Sequence, residues 1–459
     1  MSLDRATTAD RTFPFPSTPR ETVEALVGLD TTSHLGNVPA IELLRDVLQA
    51  RGATTHIFRE DDGRDANLVA VFPAAGEARL GPEVSTDRRS SEVLGESYGV
   101  GRGGVDRLEG EPARPDAGAD RRGILIAGHA DCVPVTGQAW DSPPFEPVER
   151  DGRLYGRGTC DMKSYLAVFA ALADRFVAAE LSEPVYFAVT WDEETSCNGA
   201  RELVKQLEAL EVRPRIAYVG EPTMMDVITA HKSMNSFEVQ FRGIAAHSSL
   251  LPRGLNALRY AAEFTTWFHE EIIDRGVAEG PHDEAFPVPH ITGGVNRLDG
   301  GIAVNTVPAF ASLQCEFRAL PQVDAVAIAR RIQAKVEEID ARMRAAVPSD
   351  PADEEQAREV GASLRTSTLL YPLDAGVDGP AVRLARELGV EVSPTKVTYG
   401  TESGIYEAAG MSAVVIGPGD IAQAHGANEF VSLEQLARCE AFFLALLARV
   451  GSEGADGAA

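Results

Sequence analysis

Five short stretches place side chains able to hold a metal or move a proton just beyond apolar runs. Gly128-His129-Ala130-Asp131 follows the run Ile124 to Ala127. Residues two apart on an extended chain point to the same side, so His129 can bind a metal while its other ring N–H faces the Asp131 carboxylate. The bland alternative is a surface histidine beside a surface acid. Gly156-Arg157-Gly158-Thr159-Cys160-Asp161-Met162-Lys163 sets a carboxylate at the entrance to a strongly apolar helix, where it could equally favour the helix N-terminus. Asp192-Glu193-Glu194 then follows the run that begins at Val185, and three adjacent acids are costly unless cations or protons neutralise them. Glu221, in Gly220-Glu221-Pro222-Thr223, follows Ile216 to Val219, and His425, in Ala424-His425-Gly426, follows Ala413 to Ile416. Each stretch alone reads as well as a surface turn. Together they gather outside the carboxyl ends of strands, where open α/β sheets bind ligands. Histidines and carboxylates without paired cysteines suit zinc, with cobalt or manganese as substitutes, and a pair of metals would need a bridging carboxylate.

The elements that must position these groups follow from periodicity. Leu68 to Phe72, Ile124 to Ala127, Val185 to Trp191, Ile216 to Val219 and Ala413 to Ile416 read as buried strands. Val38 to Arg51, Met162 to Ala179, Gly199 to Leu210 and Gly379 to Leu388 carry apolar residues at helical spacing. That alternation predicts an α/β fold with a mainly parallel sheet. From about Ser236 the order becomes strand (Ser236 to Phe241), helix (Leu255 to Ile273), strand (Pro289 to Gly293), strand (Ala311 to Arg318), helix (Val323 to Ala345) and strand (Ser363 to Tyr371). This fits a ferredoxin-like, split βαβ unit. The expected division is a catalytic domain over 1–225 and 373–459, interrupted by a second domain over 226–372. Residues 74–122 are rich in Gly, Arg and acids with few large apolar side chains, and read as a loop or disordered insert. The Gly-rich run inside it has no leading strand, which argues against a phosphate cradle.

Composition excludes several roles. The formal net charge of -26 over 459 residues repels phosphate backbones and anionic lipid, so neither nucleic acid nor a membrane surface is an expected partner. The N-terminus lacks a signal-peptide core and no segment offers the ~20 apolar residues of a membrane span, which makes a cytoplasmic location the expectation. Five cysteines without a short-spaced framework read as reduced thiols.

These pieces, in this order, resemble the M20 metallopeptidase family: Gly128 to Asp131 with Pro134, Trp140 and Pro144-Phe145, then Gly156 to Lys163, Asp192-Glu193-Glu194, Gly220 to Thr223, and Ala245-Ala246-His247-Ser248-Ser249. The resemblance implies two zinc ions bridged by Asp161, with His129 and Glu221 on one and Glu194 and His425 on the other. It implies Glu193 as the base that takes a proton from water, Asp131 behind His129, and a cis peptide after Asp161. It also implies a lid and dimerisation domain whose His247 reaches a neighbouring subunit's site, and hence a homodimer. Read without the family, His247 would cap its own loop through Ser248 and Ser249. Asn305 and Arg318 resemble lid residues that hold a substrate carboxylate, for which a guanidinium fork is suited; otherwise they are a turn residue and an ordinary salt bridge.

Within the family, Tyr399-Gly400-Thr401-Glu402-Ser403, Gly417-Pro418-Gly419-Asp420 and the early Thr31-Thr32-Ser33 resemble the branch that deacetylates N-acetylornithine in arginine biosynthesis. Glu402 could then face the ornithine cation or be a buried structural acid. The expected partner is a small N-acyl amino acid. Desuccinylation of succinyl-diaminopimelate, aminoacylase and carboxypeptidase activities remain as rivals, with a non-catalytic metabolite binder behind them. Cys132, Ser164 and the polar insert depart from the family pattern without removing a ligand.

Overall fold

The strands Ala66–Phe72, Ile124–His129, Val185–Thr190 and Ile216–Val219 are buried along their whole length. Such strands present apolar side chains to both faces of a sheet and therefore need a layer on each side. In the computed structural model, which describes residues 15–77, 86–87 and 122–452, helices supply both layers. Ile124, Ile126, Phe187 and Tyr218 pack with the helices Lys163–Ala171 and Leu433–Val450. Leu125, Ala127, Ala188 and Ala217 pack on the other face with Asn198–Ala209 and Ser403–Ala408. Lys163–Ala171 is buried on every side, which explains its apolar character all round.

The sheet has seven strands in the order Ser412–Val415, Ile216–Val219, Ile124–His129, Val185–Thr190, Ala66–Phe72, Thr54–Arg59, Thr86–Asp87. Only Ala66–Phe72 runs against the others. The sheet is thus mainly parallel, as expected, with one antiparallel strand. Thr54–Arg59 does not stand out in the sequence because only Ile57 and Phe58 are large and apolar. The expected helix Met162 to Ala179 is two, Lys163–Ala171 and Ala173–Ala178, breaking at Leu172.

A second, four-stranded sheet has the order Thr292–Gly300, Phe310–Arg318, Met234–Arg242, Gly361–Leu370, all antiparallel. Its helices Ala257–Phe268 and Ala325–Ala345 share an apolar core with Phe237, Val239, Leu313 and Phe317. This is the split βαβ order. The expected strand Pro289 to Gly293 instead begins at Thr292 and runs to Gly300, with an irregularity between Val295 and Arg297. Its outer half is an exposed edge, so it lacks the buried alternation by which a strand is read. The helix expected to reach Ile273 is α-helical only to Phe268 and continues as a π-helical turn, His269–Asp274.

The polar insert falls mostly outside the described residues; within it Thr86–Asp87 pairs in parallel with Phe58 and Arg59. All five cysteines are buried and unpaired. Among the described residues, no helix is long and apolar enough to cross a membrane.

Candidate metal centre

The central strands end side by side, and their ends carry the acids and histidines. His129 closes Ile124–His129, in register with Thr190 at the end of Val185–Thr190. Glu221 lies two residues beyond Ile216–Val219, and Asp161 two residues before the helix Lys163–Ala171. His425 comes from the loop between Ser412–Val415 and the helix Leu433–Val450. The local geometry is pinned from the N-terminal segment: Thr31 donates to the Ala130 carbonyl at 2.6 Å, and the Asn37 amide reaches the carbonyls of Ala66 and Thr190 at 2.9 and 3.0 Å.

Two triads result, His129, Asp161, Glu221 and Asp161, Glu194, His425, with the ligand atoms of each within 4.8 Å of one another. Asp161 belongs to both. Its Oδ1 lies 3.2 Å from His129 Nε2, and its Oδ2 lies 3.2 Å from His425 Nε2. Glu221 Oε1 is 3.8 Å from His129 Nε2, and Glu194 Oε2 is 3.0 Å from His425 Nε2. The peptide between Asp161 and Met162 is cis.

Asp131 does more than face the His129 imidazole. Its carboxylate lies 3.4 Å from His129 Nδ1, whose contact at 3.0 Å is to the Asp131 backbone carbonyl. That carboxylate also accepts the backbone N–H groups of Glu193 and Glu194 at 3.2 and 3.3 Å, and the Ser33 hydroxyl at 2.9 Å. Asp131 therefore fixes the turn that presents the two acids.

The electrostatics call for positive charge. Burial pushes the Glu193 carboxyl well above the usual range, with Glu194, Glu402 and Asp161 adding to it against the pull of His129. Burial and Asp161 push Glu194 to about 7, and burial with Asp161 and Glu193 raises Glu221 well above its ordinary value. Burial opposes ionisation of Asp161 too, yet hydrogen bonds with His129 and His425 hold it below the usual carboxylate range. The same contacts, with Asp161 and Glu194, raise His425 to about 10. Crowded carboxylates of this kind ionise together only when cations share the space. The donor set fits such ions: two imidazoles, one carboxylate with an oxygen toward each triad, and Glu194 Oε1, a buried oxygen without a hydrogen-bond partner among the described residues. Nitrogen and oxygen donors of this kind suit zinc and its neighbours.

The other candidates belong to neither triad. His247 is exposed and caps its own turn, accepting Ser249 N–H at Nδ1 (3.2 Å) with the Ser249 hydroxyl at 2.7 Å. Asn305 is an exposed turn residue whose carbonyl accepts Ser248 N–H at 2.9 Å. Arg318 lies 3.6 Å from Glu316 at the end of its strand. Glu402 is 1 % exposed; Thr190 and Tyr406 donate to its two oxygens, the latter at 3.1 Å. One buried acid that sequence spacing does not reveal is Glu429, whose Oε1 accepts the backbone N–H groups of Cys160 and Asp161 at 2.8 and 3.1 Å.

Residues 125–449 match the model of peptidase family M20/M25/M40. The chain belongs to this family. It is accordingly a hydrolase of the M20 amidohydrolase and peptidase group, whose members depend on a pair of metal ions. It is 32% identical over 425 residues to an acetylornithine deacetylase of Myxococcus xanthus, an alignment covering 92% of this chain and 94% of that protein. Its fold is similar to that of an M20 family metallo-carboxypeptidase from Sulfolobus solfataricus, with TM-score 0.62 and 13% identity over 94% of this chain and 98% of that one. It is also similar to a dinuclear metal-binding M20 peptidase from Bacillus subtilis, with TM-score 0.53 and 15% identity over 94% and 97%.

Proposed function

We propose that this hydrolase cleaves the amide bond of an N-acyl amino acid, N-acetylornithine before others, using two zinc ions held by His129, Asp161, Glu194, Glu221 and His425. The observation that carries the reading is Asp161, one carboxylate with an oxygen toward each of two ligand triads and with Glu193 beside them. The similarity to the acetylornithine deacetylase of M. xanthus over 92% of this chain supports the choice of substrate.

When bound, the metals supply Lewis acidity toward a carbonyl oxygen and make a water easier to deprotonate. Glu193 receives that proton on its carboxylate and returns it to the departing nitrogen. The Asp131 carboxylate accepts the Glu193 N–H at 3.2 Å and keeps its backbone in place. Asn305 and Arg318 hold the substrate carboxylate when the four-stranded unit closes as a lid, and His247 donates to the developing oxyanion of a neighbouring subunit. Leu250, Leu251, Ile302 and Val304 are exposed on the segments that flank His247 and Asn305, an apolar corner that a homodimer would cover. The product, ornithine, feeds arginine synthesis in the cytoplasm.

The test is release of acetate from N-acetylornithine by metal-stripped and zinc-reloaded protein, with Glu193→Gln in parallel. Zinc-dependent turnover, lowered on the order of 10²- to 10⁴-fold in the variant, is expected. Zinc-dependent cleavage of a different acyl amino acid would move the substrate and keep the chemistry. Zinc-independent turnover, or full activity in Glu193→Gln, would overturn the proposal.

A further inference from the structure

The two triads are supported unequally. His129 is 1 % exposed and ends a buried central strand, whereas the His425 side chain is 55 % exposed and sits on a loop. His425 and Asn428 both have positive φ, 62° and 58°, which non-glycine residues adopt at a cost and keep only when neighbours hold them. The segment is tethered at several points. Gln138 Nε2 donates to the His425 carbonyl at 2.7 Å, and Asn428 Oδ1 accepts the Asp141 N–H at 2.9 Å. Gln138 Oε1 in turn accepts from Arg157 Nη2 at 2.7 Å and from Trp140 Nε1 at 3.1 Å. Arg157 Nη1 is paired with Glu429 Oε2, in a contact where the two side chains are 1 % and 0 % exposed. Glu429 Oε1 completes the path by accepting the N–H groups of Cys160 and Asp161.

One line of polar contacts thus joins the backbone of the bridging acid to the backbone of the exposed histidine. The buried pair takes its further donors from the two peptides that lead to the shared acid.

We propose that Gln138 is a positioning residue for the half-site formed by Asp161, Glu194 and His425, anchored through Arg157 and Glu429 to the shared Asp161, and that it sets the affinity of the metal held there while leaving the His129–Glu221 half-site to its own strand ends. This rests on the two-metal reading above. Gln138 is the informative position, because it is partly exposed, whereas Arg157 and Glu429 form a buried ion pair.

The experiment titrates metal-stripped full-length protein with cobalt, following visible absorption, and with zinc in competition with a chromophoric chelator. Wild type, Gln138→Ala and Gln138→Glu are compared. Gln138→Glu keeps an acceptor for Arg157 but loses the donor to His425, so it should behave like Gln138→Ala. The expected result is an unchanged first equivalent and a second equivalent weakened on the order of ten- to a hundredfold, with the cobalt spectrum of the second equivalent altered. Two equivalents binding to Gln138→Ala with wild-type affinities and spectra would overturn the relay alone. Equal weakening of both equivalents would overturn it too, as a sign of general loosening. A wild-type protein that binds fewer than two equivalents would overturn the two-metal reading and the relay with it.

Discussion

Gly220→Ala should damage both the fold and the metal centre, although it adds a single methyl group. A β-carbon at Gly220 would lie 2.3 Å from Met162 Cε, 2.4 Å from Tyr165 Cδ1 and 2.7 Å from Tyr165 Cγ. Carbon atoms in contact prefer about 3.5–4.0 Å, so each neighbour would have to move by about an ångström. The end of Met162 can swing aside. Tyr165 cannot easily do so, being 0 % exposed, packed on Phe443 with ring centroids 5.1 Å apart and in hydrogen-bond contact with the Tyr218 carbonyl at 3.3 Å. The backbone must therefore give, and overpacking of this kind costs about 1–3 kcal/mol. The shift falls on Glu221, the next residue, and on Asp161 through Met162, so activity should drop on the order of 10²-fold if the ligands move by about 1 Å. Gly128→Ala is the internal comparison. Its β-carbon would meet the movable end of Met162, at 2.2 and 2.5 Å, and otherwise only Leu166 Cδ2 at 3.3 Å, so its cost should be smaller. Urea unfolding of both variants, with metal content measured on the same samples, gives the ranking. A Gly220→Ala protein with wild-type midpoint and metal content, or a Gly128→Ala protein that is the less stable of the two, would refute the reasoning.

Three further outcomes follow from the same structure. Burial holds His231, which is 0 % exposed, at about 4 against an ordinary 6.5. The unfolded chain therefore takes up a proton below pH 6.5 that the folded one refuses until near pH 4, so stability present at neutral pH is lost as pH falls, by about 2 kcal/mol between pH 7 and pH 5. His231→Asn should flatten the acid slope in urea titrations by that amount, and parallel slopes would count against it. Removing metal with a chelator should lower the thermal midpoint, because the triads then hold uncompensated acids; zinc at a hundredfold excess over its dissociation constant should restore about 2.7 kcal/mol, and a midpoint indifferent to zinc would contradict the site. If the proposed homodimer forms through this corner, Ile302→Asp combined with Val304→Asp, at positions 91 % and 102 % exposed, should halve the mass measured by light scattering and leave the protein folded, whereas an unchanged mass would place any interface elsewhere.

The parts of this site that are legible in the sequence are those whose signal is local. His129, Glu194 and Glu221 each follow an apolar run that folds as a buried strand, so the run announces both the element and the end at which chemistry can sit. The split βαβ order is legible for the same reason, since Met234–Arg242 and Phe310–Arg318 alternate buried and less buried residues along their length. Thr54–Arg59 and the outer half of Thr292–Gly300 are not, because an edge or near-edge position relaxes the demand for apolar residues on which the reading depends.

Glu429 marks a different boundary. Nothing near it distinguishes it from a surface acid, and the groups it serves, Arg157 and the amide of Asp161, lie 272 and 268 positions earlier in the chain. Its role exists only once the strand Phe430–Ser432 has paired with Arg153–Tyr155, bringing Glu429 beside Gly156 and leaving its side chain no route to water. A buried charge in that position must find an opposite charge and further donors, and it finds both in Arg157 and in the peptides leading to Asp161. His129, Glu194 and Glu221 can thus be read from strand ends, whereas what holds Asp161 still becomes visible only after the C-terminal segment has closed over it.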